Sequence, residues 1–330
     1  MPHSAGTAFK VVIMATFNAL VTPTLESEMV SLRELSSVWF EDAAEMYRDP
    51  VVRAALGIKR TPMWLQPPSV ASAENRTPIW AILSQEIGDF AGLISIFDLD
   101  ETVGEASVQI CLSPGVGTGR GIGGAAMALV LKYLFEQQKL NRVHAVIPVG
   151  NARAIRFFAD HGFEPGRQFG LAPNRMQRMA AGKLNYIEAL AKSEMARHLD
   201  VKVWEFSWDS AKRRAGLCDH THRRISLSRY LSEHNPLDQS HQVMLHEIAH
   251  AMVGHRHGHD AKWLATAKGI GYRNEQISGR SVDEEEARWM GICPNGHEYF
   301  RYKKPQRISS CSKCSKTFNE SYLISWNPRW

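Results

Sequence analysis

Two histidines and a glutamate stand close together in the stretch His246-Glu247-Ile248-Ala249-His250. The surrounding residues have the amphipathic pattern of a helix, and residues four apart on a helix share one face. Both imidazoles can then bind one zinc ion while Glu247 meets a water molecule beside it, which is the arrangement of a catalytic zinc site. The pattern predicts a metal-dependent hydrolase in the C-terminal half of the chain.

A catalytic zinc usually takes three protein ligands and keeps a fourth position for water, so a third ligand must be found. His255, His257 and His259 all follow the predicted helix closely. The metzincin spacing is excluded, because it requires glycine three residues after the second histidine, where this chain has Val253. The spacing alone leaves the three histidines as candidates.

The residues around this motif resemble the SprT-like metalloprotease family. In that family a short loop and a His-x-x-x-Trp/Phe element follow the HExxH helix, and His259 and Trp263 match this element. The upstream runs 215–218 and 224–228 also resemble the strands that lead into the family's helix. The resemblance implies a protein substrate and, as ligands of a catalytic zinc ion, His246, His250 and His259.

A glutamate ligand, as in a gluzincin-like site, is the alternative to His259. The downstream acidic residues that could serve are Glu284, Glu285 and Glu286. The run from Ser281 to Glu284 is better explained as a capping box that begins a helix. We therefore expect the histidine to be the third ligand.

A second group of metal-binding residue types lies near the C-terminus. Cys293 is followed by His297, and Cys311 and Cys314 come after a further thirteen residues. Two knuckles that each donate two ligands give the closed tetrahedral site of a structural zinc ion. SprT relatives often carry a ribbon with two CxxC pairs, and here His297 must take the place of one cysteine. The sequence predicts a zinc ribbon.

The N-terminal half contains a glycine-rich run, 117–125, after the strand-like residues 106–112. Such a loop lets backbone N–H groups approach a pyrophosphate closely, and the helix that it opens adds the positive end of its dipole. A Rossmann dinucleotide fold would explain the glycines equally well. It is disfavoured, because the chain shows no repeated βαβ units and no early strand placed before such a loop.

The segment 151–164 resembles the second coenzyme motif of GNAT acetyltransferases. With the glycine loop, the strand-like run 143–148 and an opening at 29–35, the resemblance covers about residues 29 to 170 and is closest to the RimJ/RimL-like branch. It implies acetyl-CoA as the donor, with Asn151 against the pantetheine arm. The residues that it implies for the pyrophosphate are Arg120, Gly121, Ile122, Gly123, Gly124 and Ala125.

Acetyl transfer in this family is a direct attack of an amine on the thioester, so a base must accept a proton and the thiolate must leave. Many relatives place a tyrosine seven residues after the asparagine to protonate the sulfur, and this chain has Phe158 there. Glu105, at the head of the coenzyme strand, is our candidate base. The missing tyrosine leaves open an inactive acetyltransferase fold that serves as a binding module.

We predict an α/β GNAT domain with a mixed twisted sheet and flanking helices, then a small α+β zincin-like domain that ends in a zinc ribbon. The run from Gly166 to Lys183 is rich in glycine and arginine and suggests the end of one domain and a linker. The predicted parts are a flexible leader (1–28), the acetyltransferase domain (29–180), the metalloprotease domain (181–290) and the ribbon (291–330).

Charge differs between the two halves. Residues 1–180 carry a net charge of −1 and residues 181–330 a net charge of +6. Short basic runs with neighbouring aromatic residues could contact phosphates and bases, and SprT-like relatives act on DNA-associated proteins, so DNA is a candidate partner. Five cysteines are too few for a disulfide scaffold, and no apolar run is long enough for a bilayer, so we expect a cytoplasmic protein with no membrane partner.

Two other interpretations remain open. The chain could be a non-catalytic DNA-associated adaptor, although such a module has no need of Glu247. It could also be an acetyltransferase whose zinc domain only selects the substrate. Our prediction is a bifunctional protein that hydrolyses peptide bonds with zinc and transfers acetyl groups from acetyl-CoA.

Overall fold

The computed structural model describes residues 22–57, 78–86, 88–114, 119–172, 174–212, 214–273, 288–301 and 304–329. The chain divides into two compact units. One unit comprises Met1–Leu99 with Ser107–Leu129, and the other comprises Asp100–Ala106 with Val130–Trp330. Glu284, Glu285 and Glu286, Gly117 and Thr118, and residues 1–21 of the predicted leader lie outside the described residues.

The first unit is built on antiparallel strands that follow one another along the sheet. Their bounds are β1 (Leu25–Glu26), β2 (Val30–Glu34), β3 (Ile79–Ser84), β4 (Phe90–Asp100) and β5 (Glu105–Leu112). β5 confirms the strand predicted over 106–112. The unit also contains α1 (Phe40–Arg48) and α2 (Pro50–Leu56), and α3 (Ile122–Lys132) begins in it. Leu32, Trp80 and Ile94 are fully buried in its core.

The second unit begins with three strands in the order β6-β8-β7, which are β6 (Arg142–Pro148), β7 (Glu164–Phe169) and β8 (Met176–Ala181). β8 pairs antiparallel with both neighbours. Of the interpretation of 166–183 as the end of one domain and a linker, the linker is therefore wrong, because residues 164–169 and 176–181 form strands. Gln177, Met179 and Ala181 are buried and alternate with more exposed residues, the period of a strand. The glycine and arginine content of the run hid this pattern.

Two helices accompany these strands. α4 spans Ala152–Asp160 and α5 spans Lys183–His198. α5 confirms the helical periodicity of 184–199, since its buried residues Ile187, Ala191 and Met195 are four residues apart. The strand predicted over 201–208 is shorter in the structure, because residues 201–203 form a turn before β9 (Glu205–Asp209).

β9 lies in a small sheet with β10 (Gly216–Asp219) and β11 (Arg224–Ser228), in the order β10-β11-β9. β10 and β11 confirm the strands expected from the resemblance to the SprT-like family. Three helices follow: α6 (Arg229–His234), α7 (Leu237–Val253) and α8 (Ala261–Gly269). α7 packs against α5, α8, β10 and β11, and the apolar cluster beneath it contains Leu245, Ala249, Trp263, Ala267 and Tyr272.

The C-terminal part is a separate three-stranded antiparallel sheet. β12 (Trp289–Ile292) lies between β13 (Glu298–Arg301) and β14 (Ser325–Pro328). Among the residues that the structure describes, no helix combines the length and the apolar character needed to cross a bilayer.

Candidate functional sites

α7 carries the first two histidines of the candidate metal centre. The helix ends at Gly254, whose φ of 85° lies in the left-handed region that favours glycine. The chain then turns back, and Asp260 caps α8 by accepting a hydrogen bond from the backbone N–H of Trp263 at 2.9 Å. His259 immediately precedes this cap, so the start of α8 sets where its ring lies.

The Nε2 atoms of three histidines converge at one point. Those of His246 and His250 are 3.2 Å apart, and Nε2 of His259 lies 3.0 Å from His246 and 3.1 Å from His250. Zinc with Zn–N bonds of ~2.0–2.1 Å in tetrahedral geometry separates two nitrogen ligands by roughly 3.3 Å. The donor set therefore fits a zinc ion with three protein ligands and an open fourth position.

An aromatic side chain packs against all three rings, and burial favours the neutral form of two of them. Trp263 packs its ring 4.7 Å from that of His246, 5.2 Å from that of His250 and 4.6 Å from that of His259. Burial, with smaller contributions from the other two rings, lowers the pKa of His246 to about 4. Burial also lowers the pKa of His250. Neutral imidazole is the form that binds metals, so the environment favours a ligand role.

The other two histidines after α7 point elsewhere. Nδ1 of His257 lies 2.7 Å from a carboxylate oxygen of Asp260. The ring of His255 lies 6.1 Å from that of His220, measured between centroids. Among the described residues, the His/Cys/Asp/Glu cluster at this place contains His246, His250 and His259 alone. The geometry is that expected from the SprT-like resemblance.

Glu247 directly follows His246 on α7 and is 8% exposed. Burial raises the pKa of its carboxyl to about 7, against the opposing effects of the Cys218 backbone N–H and the Arg214 guanidinium. A carboxyl with a pKa near neutrality can both accept and return a proton. The site therefore combines three donors that could hold a metal ion with a buried carboxyl group.

Two residues of β10 shape the environment of Glu247, and the sequence alone did not point to them. A Cβ atom at Gly216 would lie 2.8 Å from both Cγ and Oε1 of Glu247 and 2.7 Å from Cγ1 of Val243. The backbone N–H of Cys218 donates a hydrogen bond to the Glu247 carboxylate. The signal that could have found Gly216 is a glycine inside a strand pattern, which marks a close approach of another element.

The cysteines and the histidine of the C-terminal sheet form the second cluster. Sγ of Cys293 is 3.8 Å from Sγ of Cys314, and Nδ1 of His297 is 3.5 Å, 3.5 Å and 3.2 Å from the sulfurs of Cys293, Cys311 and Cys314. Tetrahedral zinc with Zn–S bonds of ~2.3 Å separates two sulfurs by roughly 3.8 Å and a sulfur from a nitrogen by roughly 3.5 Å. Four donors of suitable type and spacing therefore surround one point.

Two of the four donors in this cluster are buried. Cys293 and Cys311 are 3% and 0% exposed. Burial opposes ionisation of Cys311, but the Tyr299 hydroxyl at 3.0 Å and neighbouring N–H groups outweigh it and lower the pKa of that thiol. A thiolate is the form that binds zinc. His297 completes the four donors, as expected from the sequence.

The predicted pyrophosphate residues lie in a loop and the first turn of α3. Gly119 and Gly121 have φ values of 80° and 78°, a conformation that requires glycine or costs strain. The backbone N–H of Ala125 donates to the carbonyl of Gly121 at 2.9 Å, which is the first turn of the helix. Arg120 is exposed, Gly124 is half-buried, and Ile122 and Gly123 are buried. This loop and helix start has the form of an anion-binding site.

Asn151 has a structural task in the second unit. Its side chain caps α4 by accepting a hydrogen bond from the backbone N–H of Ala154 at 3.0 Å. Phe158, which stands where relatives have tyrosine, is 5% exposed and packs edge-on against Phe157 and Phe163. The pantetheine contact of Asn151 stays a prediction.

Glu105 opens β5, whose eight residues span roughly 24 Å to Leu112 at ~3.4 Å each. Its carboxylate lies 3.0 Å from Nε2 of the buried His144. The glycine-rich loop with the predicted pyrophosphate residues follows the far end of the same strand. This placement favours a structural pairing of Glu105 with His144, and its role as the catalytic base stays a prediction.

Two parts of the chain match known family models. Residues 30–164 match the family described as the acetyltransferase (GNAT) domain, and residues 184–282 match the SprT-like family. The chain carries a GNAT acetyltransferase domain and a SprT-like domain. The mixed sheet with flanking helices is the GNAT fold expected from the sequence, and this fold implies binding of acetyl-CoA.

Three acetyltransferases are among the solved structures that resemble about half of this chain. A GCN5-related N-acetyltransferase from Brucella melitensis is 15% identical, with a TM-score of 0.45, and the match covers 57% of this chain and 90% of that one. An acetyltransferase of the GNAT family from Bacillus anthracis is 16% identical (TM-score 0.41, 48% and 98% covered). Spermidine N-acetyltransferase from Vibrio cholerae, solved with CoA and spermine, is 16% identical (TM-score 0.40, 49% and 99% covered). No curated protein matches the sequence significantly.

Proposed function

We propose that the SprT-like domain is a zinc-dependent peptidase. The observation that supports this best is the convergence of three Nε2 atoms, all within 3.2 Å of one another, beside a buried glutamate. His246, His250 and His259 would hold the ion. Zinc bound there supplies a Lewis acid that polarises a peptide carbonyl and activates water.

Glu247 carries the proton transfers in this proposal. Its carboxylate takes a proton from the attacking water and returns it to the nitrogen of the leaving amine, so one side chain serves first as base and then as acid. A pKa of about 7 suits both directions near neutral pH. The Cys218 N–H holds one orientation of the carboxylate, and Gly216 leaves room for it.

The test of the peptidase is a zinc count on the full chain together with hydrolysis of casein. We expect two zinc ions in the parent protein and one in His259→Ala, with hydrolysis lost in the variant. His257→Ala is the matched control, since its ring pairs with Asp260, and it should keep both ions. A His259→Ala protein that still holds two ions would contradict the proposed ligand set.

We further propose that the four-donor cluster holds a structural zinc ion and that the acetyltransferase domain transfers an acetyl group from acetyl-CoA to an amine. The residues proposed for the pyrophosphate are those from Arg120 to Ala125. The start of α3 supports this, because the first N–H groups of a helix have no partner within it and attract phosphate. The amine nitrogen forms its bond to the acetyl carbon as the carbon–sulfur bond breaks. The nitrogen gives up one proton to a base, for which Glu105 is the proposed candidate, and the thiolate takes a proton from solvent.

Calorimetry with acetyl-CoA tests this second activity. The parent should show saturable binding, which Gly121→Asp should weaken strongly. The substitution adds a negative charge, demands a left-handed backbone from a residue with a Cβ, and meets Cε of Met29 at 3.1 Å. An absence of binding heat in the parent would favour the alternative of an inactive acetyltransferase fold.

DNA is the partner that we propose for the ribbon. Seven basic and two acidic side chains belong to the described residues between 288 and 329. Several basic side chains lie over aromatic rings. For example, Nζ of Lys304 is 5.3 Å from the ring centroid of Trp289. Anisotropy of a labelled single-stranded oligonucleotide should give an affinity that falls steeply with salt. Reduced cysteines as zinc donors fit the cytoplasm as the proposed location.

A further inference from the structure

The first turn of α7 is held by a residue from the acetyltransferase domain. Pro236 occupies the N-cap position and makes no side-chain cap, although the first N–H groups of a helix need acceptors from outside. The Glu136 carboxylate accepts the hydrogen bond of the Leu237 N–H, across 101 residues of sequence. One domain thus supplies the cap for the helix that carries the other domain's metal ligands.

A second charged residue holds the chain just before this turn. The ammonium group of Lys183 donates to the carbonyl oxygen of Glu233 at 2.8 Å and to that of Asn235 at 2.6 Å. Burial lowers the pKa of Lys183, and the negative charge of Glu136 opposes this shift. Asn235 is only 4% exposed. The short connection from α6 to α7 is therefore fixed by two opposite charges.

Glu136 is also linked to the coenzyme loop by continuous helical chain. It belongs to a π-helical turn, Tyr133–Gln137, that follows α3 directly. α3 itself begins at Ile122, within the residues from Arg120 to Ala125 that we propose for the pyrophosphate. Isolated π-helical turns are uncommon and are frequent at functional positions. On the other side, His246 lies nine residues after Leu237, or roughly 14 Å along α7 at ~1.5 Å per residue.

We propose that Glu136 is a positioning residue of the three-histidine centre and couples the binding of acetyl-CoA to the binding of zinc. A shift of α3 on coenzyme binding moves the carboxylate that fixes the start of α7, and with it the two histidines on that helix. Coupling between two sites is reciprocal, so zinc at the histidines changes the affinity for acetyl-CoA by the same factor. This inference rests on the proposed function of both domains.

The variants separate the hydrogen bond from the charge. Glu136→Ala removes the acceptor, whereas Glu136→Gln keeps a carbonyl oxygen that can accept from the Leu237 N–H. Glu101→Gln is the matched control, because it removes an exposed carboxylate in the turn between β4 and β5. Hydrogen exchange of residues 237–253 in the full chain should be faster in Glu136→Ala and near that of the parent in the other two proteins.

The decisive measurement is the acetyl-CoA dissociation constant in the parent and in His259→Ala, each with and without Glu136→Ala. We expect loss of the histidine to change the constant about five-fold or more. The change should fall below about two-fold in the Glu136→Ala background and persist with Glu136→Gln. If Glu136→Ala does not fold, Lys183→Met tests the same connection.

The outcomes distinguish this inference from the proposed function. Equal dissociation constants in the parent and His259→Ala, with acetyl-CoA bound and one zinc ion lost, would overturn the coupling alone. If loss of His259 still changes the acetyl-CoA dissociation constant in the Glu136→Ala background, the role of Glu136 in the coupling would be overturned. No acetyl-CoA heat in the parent, or two zinc ions in His259→Ala, would overturn the proposed function and the coupling with it.

Discussion

The two candidate metal centres differ in number of donors, in exposure and in what lies beside them. At the α7 centre three imidazoles converge, His259 is exposed, and the buried Glu247 follows His246 in the same helix. At the ribbon three sulfurs and one imidazole surround one point, and Cys293 and Cys311 are buried. Three donors leave a coordination position for a reactant, whereas four donors close the site. The first arrangement suits chemistry and the second suits folding.

The largest effect that would sharpen this contrast is expected from Glu247→Gln. Glutamine cannot accept and return the proton, so casein hydrolysis should fall about 10²- to 10⁴-fold. The zinc count should stay at two, because the substitution leaves all three imidazoles in place. Stopped assays of casein cleavage and metal analysis of the same sample measure both. Hydrolysis at the parental rate would show that Glu247 has no catalytic role, and the α7 centre would then no longer differ from the ribbon in this way.

A smaller loss is expected from Gly216→Ala. The new Cβ would lie 2.8 Å from Oε1 of Glu247 and must displace it or Val243. A misplacement of this kind costs roughly 10- to 100-fold in rate, and the crowding costs about 1–3 kcal/mol in the free energy of unfolding. Gly269→Ala is the control, since nothing lies within 4 Å of its added Cβ. Equal hydrolysis by both variants would show that the spacing at Glu247 is not critical.

The smallest effect on hydrolysis is expected from Cys311→Ser. The ribbon should lose its ion, so the zinc count should fall from two to one while casein hydrolysis changes less than about two-fold. Structural zinc contributes folding free energy directly, so the variant should unfold its C-terminal sheet first in limited proteolysis. Cys111→Ser, which removes a thiol in the acetyltransferase domain, should keep both ions. Hydrolysis lost together with the ribbon zinc would mean that the two centres are not independent.

Sequence reasoning was most successful where ligands are close along the chain. His246 and His250 share a helical face at a fixed spacing, and the pairs in the ribbon are equally local. The third histidine required family resemblance, because His255 and His257 have the same chemistry and only the turn at Gly254 and the cap at Asp260 decide between them. The strands β7 and β8 were missed, since their polar residues pair with neighbours that the local pattern does not reveal.

Other positions depend on contacts that no local pattern contains. Gly216 matters because a helix more than twenty residues later packs on it, and Glu136 because its carboxylate meets a backbone group 101 residues away. Glu105 stays an untested prediction whose surroundings the sequence did not reveal. Its chemistry was suitable, but the length of β5 and the contact with His144 were not visible in the sequence.

The short sequence span of each donor set has a kinetic consequence. His246 and His259 are 13 residues apart, and Cys293 and Cys314 are 21 apart. Closing a loop of about ten residues takes roughly 10–100 ns, and longer loops of this size are only modestly slower to close. After an ion is lost, the donors can therefore regroup far faster than a dilute metal ion arrives. The rate at which either centre rebinds a metal ion should be set by the metal concentration rather than by refolding of the chain.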